Sequence, residues 1–119
     1  MRDFRKLQIW NEGIELVIST YSITNTFPKE EKFGLCSQMQ RASVFIPSNI
    51  AEGCSRNSEI EFKRFLEISM GSAFELETQT IIAERLGYIS MKDLNVELKS
   101  VNELQRKINS LISKIKSDL

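Results

Sequence analysis

Residues 58–87 read SEIEFKRFLEISMGSAFELETQTIIAERLG, and this stretch decides the fold. It opens on Ser58-Glu59-Ile60-Glu61. That is a capping box: the serine hydroxyl accepts from the third backbone amide while the glutamate reaches back. It closes on Gly87, a residue suited to a helix C-terminal stop. No proline interrupts it, so the spacing predicts a helix over residues 59–86. Its apolar residues Phe65, Leu66, Ile68, Phe74, Leu76, Ile81 and Ile82 cannot share one face. A helix that is apolar around most of its girth is buried on more than one side.

Three further helices follow on working outward. Upstream, Leu35, Met39, Ala42, Ile46 and Ile50 form a stripe at helical spacing, which predicts a helix over residues 29–52. Pro28 suits its first turn, with Glu30 and Glu31 favourable near the positive end. Pro47 removes one backbone donor inside it and is expected to kink it near Ser43, and Gly53 stops it. Before it, Leu7, Trp10, Ile14, Val17, Ile18 and Tyr21 predict a helix over residues 6–26. Downstream, Ser90 caps a helix over residues 91–116 with its stripe along Leu94, Leu98, Val101, Ile108, Ile112 and Ile115, widened by Leu104 and Leu111. Short connections make neighbours antiparallel, so the expectation is an all-α, up-down-up-down four-helix bundle forming one domain over residues 1–119.

Composition agrees with this and excludes several functions. Only five glycines and two prolines occur in 119 residues, too few for a turn-rich β protein. Sixteen basic residues balance sixteen acidic ones, so no global field draws nucleic acid. No apolar run nears the roughly 20 residues needed to span a membrane. The start lacks an apolar signal core, so a cytoplasmic protein with no membrane role is expected. Cys36 and Cys54 lack CxxC spacing, and the chain has no histidine. Zinc sites of the usual kind, Glu-x-x-His di-iron sites and serine or cysteine triads therefore cannot be assembled. No glycine-rich phosphate loop is present. The expectation is a non-enzyme without catalytic residues, cofactor or metal.

Three surfaces stand out. Ile9, Leu16, Ile23 and Phe27 lie nearly opposite the Leu7–Tyr21 stripe. With Phe74 and Ile81 of the third helix they are surplus to one core, so Ile9, Leu16, Ile23, Phe74 and Ile81 are expected to form a homo-oligomer interface. The alternative is a wide-faced central helix with scattered exposed apolar residues. A polar row on the second helix, Gln38, Arg41, Phe45, Ser48 and Glu52, matches Ser72, Glu75 and Gln79 on the third. Arg41, Ser48, Asn49, Glu52, Ser72 and Glu75 read best as an internal network, with Arg41 pairing Glu75 or Glu52 and with Ser48 or Asn49 bonding groups freed by Pro47. A polar pocket is the other reading. The chain ends are basic: Arg2, Arg5 and Lys6 at one, Arg106, Lys107, Lys114 and Lys116 at the other. If they meet they form a candidate nucleic-acid contact, joined by Arg56, Lys63 and Arg64. Solvated helix faces are the plainer alternative.

Residues 38–53, Gln-Met-Gln-Arg-Ala-Ser-Val-Phe-Ile-Pro-Ser-Asn-Ile-Ala-Glu-Gly, closely resemble the bacterial four-helix-bundle family of proteins encoded in 23S rRNA intervening sequences, also called S23-type proteins. The motif Ile-Pro-x-Asn-Ile-Ala-Glu-Gly is intact at residues 46–53. Leu7–Trp10, Phe27–Leu35, Phe62–Leu66 and Gly71–Thr78 resemble further family segments, from about Phe4 to the end of the fourth helix. The resemblance implies an antiparallel bundle assembled into a ring, commonly a homopentamer. It also implies a poorly defined role, with relatives that look like basic pentamers binding nucleic acid and a reverse transcriptase. The balanced charge here departs from those relatives. Two functions follow as expectations: an oligomeric binding protein offering a basic surface to RNA or a nucleic-acid enzyme, or a protein–protein scaffold ring with no nucleic-acid role.

Overall fold

The third helix begins where its cap dictates. In the computed structural model, which describes residues 1–119, Ser58 Oγ accepts from the Glu61 amide at 3.2 Å. The same hydroxyl donates to the Glu61 carboxylate at 3.2 Å, so Glu61 reaches back to the side chain of Ser58. Ser90 caps the fourth helix in the same way, accepting from the Asp93 amide at 3.1 Å. The helices are α1 (Gln8–Thr24), α2 (Leu35–Cys54), α3 (Glu59–Arg85) and α4 (Met91–Asp118). Gly87 ends α3 with φ of 82°. Tyr88 N–H reaches the Ala83 carbonyl and Gly87 N–H the Glu84 carbonyl, both at 2.9 Å, which is the paired closure a left-handed glycine permits.

α2 starts later than expected. Lys29–Glu31 is a separate 3₁₀ turn, and the helix begins only at Leu35, after Gly34. Glu31 reaches forward to cap it, accepting from the Leu35 amide at 3.0 Å. Its second oxygen accepts from the Tyr88 hydroxyl at 2.8 Å, tying the first interhelical connection to the third. Those two bonds, the amide one foremost, hold the Glu31 carboxyl below its ordinary value. α2 then runs unbroken through Pro47. Asn49 donates to the Phe45 carbonyl at 2.8 Å, not to the Ser43 carbonyl that Pro47 leaves without its usual donor. A Cβ on Gly13 would lie 3.2 Å from Pro47 Cβ, so a glycine lets α1 close over the proline ring.

The helices close in the order α1–α2–α3–α4–α1, and the backbones of diagonal pairs stay apart across the core. This is the antiparallel up-down-up-down bundle. α2 and α3 share the most extensive contact, while α1 and α4 close the ring with the least. Met39, Ile46, Ile50, Phe62, Leu66, Leu76, Val101, Leu104 and Ile108 fill the centre. α1 faces the opposite way from its expected stripe. Its buried residues are Ile9, Gly13, Leu16, Thr20 and Thr24. Ile18 and Tyr21 are exposed, and Trp10, Ile14 and Val17 are half-buried. The reason is that threonine can be buried once its hydroxyl is satisfied within the helix. Thr20 donates to the Leu16 carbonyl at 2.8 Å and Thr24 to the Thr20 carbonyl at 2.9 Å.

The segment before α1 folds back across the end of the bundle. Arg2 N–H donates to the Cys54 carbonyl at 3.0 Å, and Phe4 packs on Trp10 with ring centroids 5.1 Å apart. Cys54 lies beneath this strap, 2% exposed, while Cys36 is partly open.

Candidate interaction surfaces

The polar row of α2 and α3 turns outward. Arg41, Ser48, Glu52 and Glu75 are exposed, Asn49 is half-buried and Ser72 is buried. Arg41 stacks its guanidinium 5.1 Å from the Phe45 ring, and Glu52 pairs with Arg56 at 3.4 Å. Glu75 accepts from Gln79 at 3.2 Å. The expected internal pairing of Arg41 with Glu75 or Glu52 is therefore not formed. The row stays in water because taking these charges inside would require a complete set of partners. What one chain displays here is an unpaired cation and a carboxylate on adjacent helices, interleaved with the exposed apolar residues Phe45, Ile68 and Ile82.

Of the residues expected at an oligomer interface, Ile9 and Leu16 are instead core, 6% and 2% exposed. Ile23 packs partly against the same core, as does Ile81. Only Phe74 stands open, at 57%. The apolar surface of α1 is the other stripe, where Ile18 and Tyr21 are exposed. Exposed apolar residues therefore remain on α1 and α3, those of α1 on the stripe expected to face the core.

The basic ends converge. Antiparallel order brings the start of α1 and the finish of α4 to one end of the bundle, where the α2–α3 connection also lies. Two of the seven cations have internal employment. Arg2 makes a two-pronged bond to Glu59 at 2.6 and 2.7 Å and lies 4.1 Å over the Phe62 ring. The Glu59 bond raises its already high pKa. Lys107 bonds Glu12 at 2.7 Å, bridging α4 to α1. Arg5, Lys6, Arg106, Lys114 and Lys116 are exposed and take part in no ion pair within the chain. Lys63 is paired to Glu67 at 3.5 Å, and Arg64 is free. A second cationic cleft lies at the far end, lined by Lys29, Lys32, Phe33 and Ser37 among others.

One buried acid escaped the sequence reading. Glu97 is 1% exposed between α4 and α1. Ser19 Oγ and Thr20 Oγ1 each lie 2.6 Å from one of its carboxyl oxygens. Its signal was register: residues 94, 97, 101, 104 and 108 are all buried, a 3-4-3-4 row with a glutamate at its second place. No three histidine, cysteine or carboxylate side chains converge to hold a metal ion, and no helix is long and apolar enough to cross a membrane.

The chain matches the family described as 23S rRNA-intervening sequence protein over residues 5–110. Its fold is similar to a crystal structure from Bacteroides thetaiotaomicron, a protein of unknown function from the S23 ribosomal protein family. The TM-score is 0.82 at 22% identity, covering 88% of this chain and 95% of that one. At that identity the likeness speaks for the fold alone. No curated protein matches in sequence.

Proposed function

The chain belongs to the 23S rRNA-intervening sequence protein family, and from that premise we propose a non-enzymatic binding protein whose copies assemble and offer cations to RNA or to an enzyme acting on nucleic acid. The observation that carries this reading is the gathering of unpaired cations from both chain ends, Arg5 and Lys6 with Lys114 and Lys116, at one end of the bundle. Phosphate contacts need such local charge even when net charge is zero, and each contact releases counterions. A ring, the homopentamer implied by the family resemblance, would repeat the patch and multiply its avidity.

Replacing Arg5, Lys6, Lys114 and Lys116 together by glutamine is expected to weaken single-stranded RNA binding. The slope of log affinity against log salt should flatten by about 3, at roughly 0.7 per lost contact. Lys107→Gln should leave the slope unchanged, since Glu12 already occupies that ammonium. Absence of any RNA or DNA binding at low salt would remove this reading.

The second reading is a scaffold ring that binds proteins, favoured by balanced charge and by the outward row of α2 and α3. Both readings need assembly. Arg41 of one copy meeting Glu75 of the next would complete the pairing that a single chain leaves open. Arg41→Glu or Glu75→Arg alone should lower the association constant at least tenfold, about 1.4 kcal/mol. The double exchange should recover much of it, read by light scattering across a dilution series. Equal mass for all three variants would take this face out of the contact.

A further inference from the structure

Beside Glu97 a single hydroxyl hydrogen faces two acceptors. Thr20 Oγ1 lies 2.8 Å from the Leu16 carbonyl and 2.6 Å from Glu97 Oε2. A hydroxyl carries one hydrogen, while a carbonyl and an ionised carboxylate only accept. One hydrogen cannot serve two acceptors at those separations. If Glu97 carries a proton on Oε2, every contact is served. Glu97 donates to Thr20, Thr20 donates to the Leu16 carbonyl, and Ser19 donates to Glu97 Oε1 at 2.6 Å.

The surroundings favour the same state. On α1 the only charged residues are Glu12 and Glu15, both acidic. On α3, Glu77 is half-buried and held by Gln105, Glu84 is half-buried and Arg85 is exposed, and none of them bonds Glu97. α2 lies diagonally across from α4, and its charged residues, Arg41 and Glu52, are exposed. On α4 itself Asp93 and Glu103 flank the position, and Lys99 is exposed. Lys107 is ten residues on, about 15 Å along the helix, and is held by Glu12. No cation compensates a buried negative charge here. Burial pushes the Glu97 carboxyl above its ordinary value, and the Ser19 and Thr20 hydroxyls pull it only part of the way back.

We infer that Glu97 is a proton latch on the seam between α1 and α4, closed while it holds its proton and loosened when the proton leaves. The seam is suited to such a device. It is the least extensive helix contact of the bundle, and beside it runs a cleft lined by Glu12, Glu15, Leu16, Ser100 and Glu103. Deprotonation strands one carboxylate in the interior and leaves Thr20 with two acceptors for one hydrogen. The three carboxylates of the cleft add repulsion across the same line. The sign follows from linkage. A group whose folded value is raised contributes fully below its unfolded value, near 4.5, and loses that contribution as pH rises through the folded value.

Glu97→Gln reproduces the protonated pattern permanently, its amide donating to Thr20 and its carbonyl accepting from Ser19. Urea unfolding of both full-length proteins, at one protein concentration from about pH 5 to about pH 9, reads the latch. The unfolding constant of the wild type relative to Glu97→Gln is expected to climb by up to about tenfold per pH unit, then level off. A ratio constant across that range would overturn the inference. A second measurement needs no variant: the carboxyl carbon resonance of Glu97 should titrate well above the other glutamates. Titration among them would equally overturn it. Amide exchange over residues 19–24, corrected for intrinsic rates, is expected to accelerate with pH in the wild type only.

Discussion

Phe62→Ala is expected to lower stability by about 3–5 kcal/mol, the range for deleting a buried aromatic ring. The position earns no relief from its neighbours. Phe62 is 1% exposed in the first turn of α3, and it does three things at once. It fills the core between α2 and α3. It forms the plate under Arg2, whose guanidinium lies 4.1 Å above the ring. Through Arg2 it steadies the strap, which bonds Glu59 by its side chain and Cys54 by its backbone. Truncation therefore opens a cavity and also frees the residues before α1. Phe62→Leu should cost less than the alanine change, because it keeps more of the volume. Denaturant unfolding checks both, and a loss below about 1 kcal/mol for the alanine variant would mean that this end of the bundle is loosely packed.

The second large effect is expected at Gly53, from adding a single carbon. A Cβ there would stand 2.8 Å from Phe65 Cβ and 3.1 Å from Phe62 Cδ1, with the Phe62 carbonyl at 3.4 Å. Backbone and ring stems cannot swing aside as a lysine tip can. Gly53→Ala is expected to cost about 1–3 kcal/mol as an overpacked site, and Gly53→Val more. Gly71 supplies the contrast within the same molecule. Nothing lies within 4 Å of a Cβ built there, and it sits inside α3. Gly71→Ala should stabilise by up to about 1 kcal/mol, the helix-propensity difference. Thermal melts of the two variants should move in opposite directions. Combining Gly53→Ala with Phe62→Ala should be non-additive, because the cavity of one accepts the methyl of the other.

These two sites show what kind of information the sequence carries. Ser58, Gly87 and Ser90 act through bonds to backbone a few residues away, so the limits of α3 and the start of α4 were legible. The start of α2 was not. Pro28, Glu30 and Glu31 suit the first turn of any helix, and nothing local says that the turn they open is a 3₁₀ one. Glu31 performs its capping from four residues before Leu35, a distance that only the fold closes. The face of α1 was misjudged because a count of apolar side chains overlooks Gly13, Thr20 and Thr24. Glycine there answers a proline on another helix, and the threonines hide their hydroxyls in their own backbone. The row at Arg41, Ser48, Glu52 and Glu75 illustrates a related limit. Spacing places those residues along neighbouring edges, but whether the edges point inward depends on how α2 and α3 rotate about their axes. Charges of both signs on facing rows suggest a pair, and the same charges pointing outward make a surface. Glu97 was missed for the opposite reason: one acid among several on a polar, charge-rich helix draws no notice until its register is read against Leu94 and Val101.

The strap across the end of the bundle has a practical consequence. The chain has two thiols at different depths, Cys36 partly open and Cys54 sealed under the residues before α1. Burial also pushes the Cys54 thiol up, so little of it is thiolate at neutral pH. A thiol-reactive reagent therefore runs two clocks in one tube. The fast one reports on Cys36 in the folded chain, and the slow one ticks only when the first few residues let go.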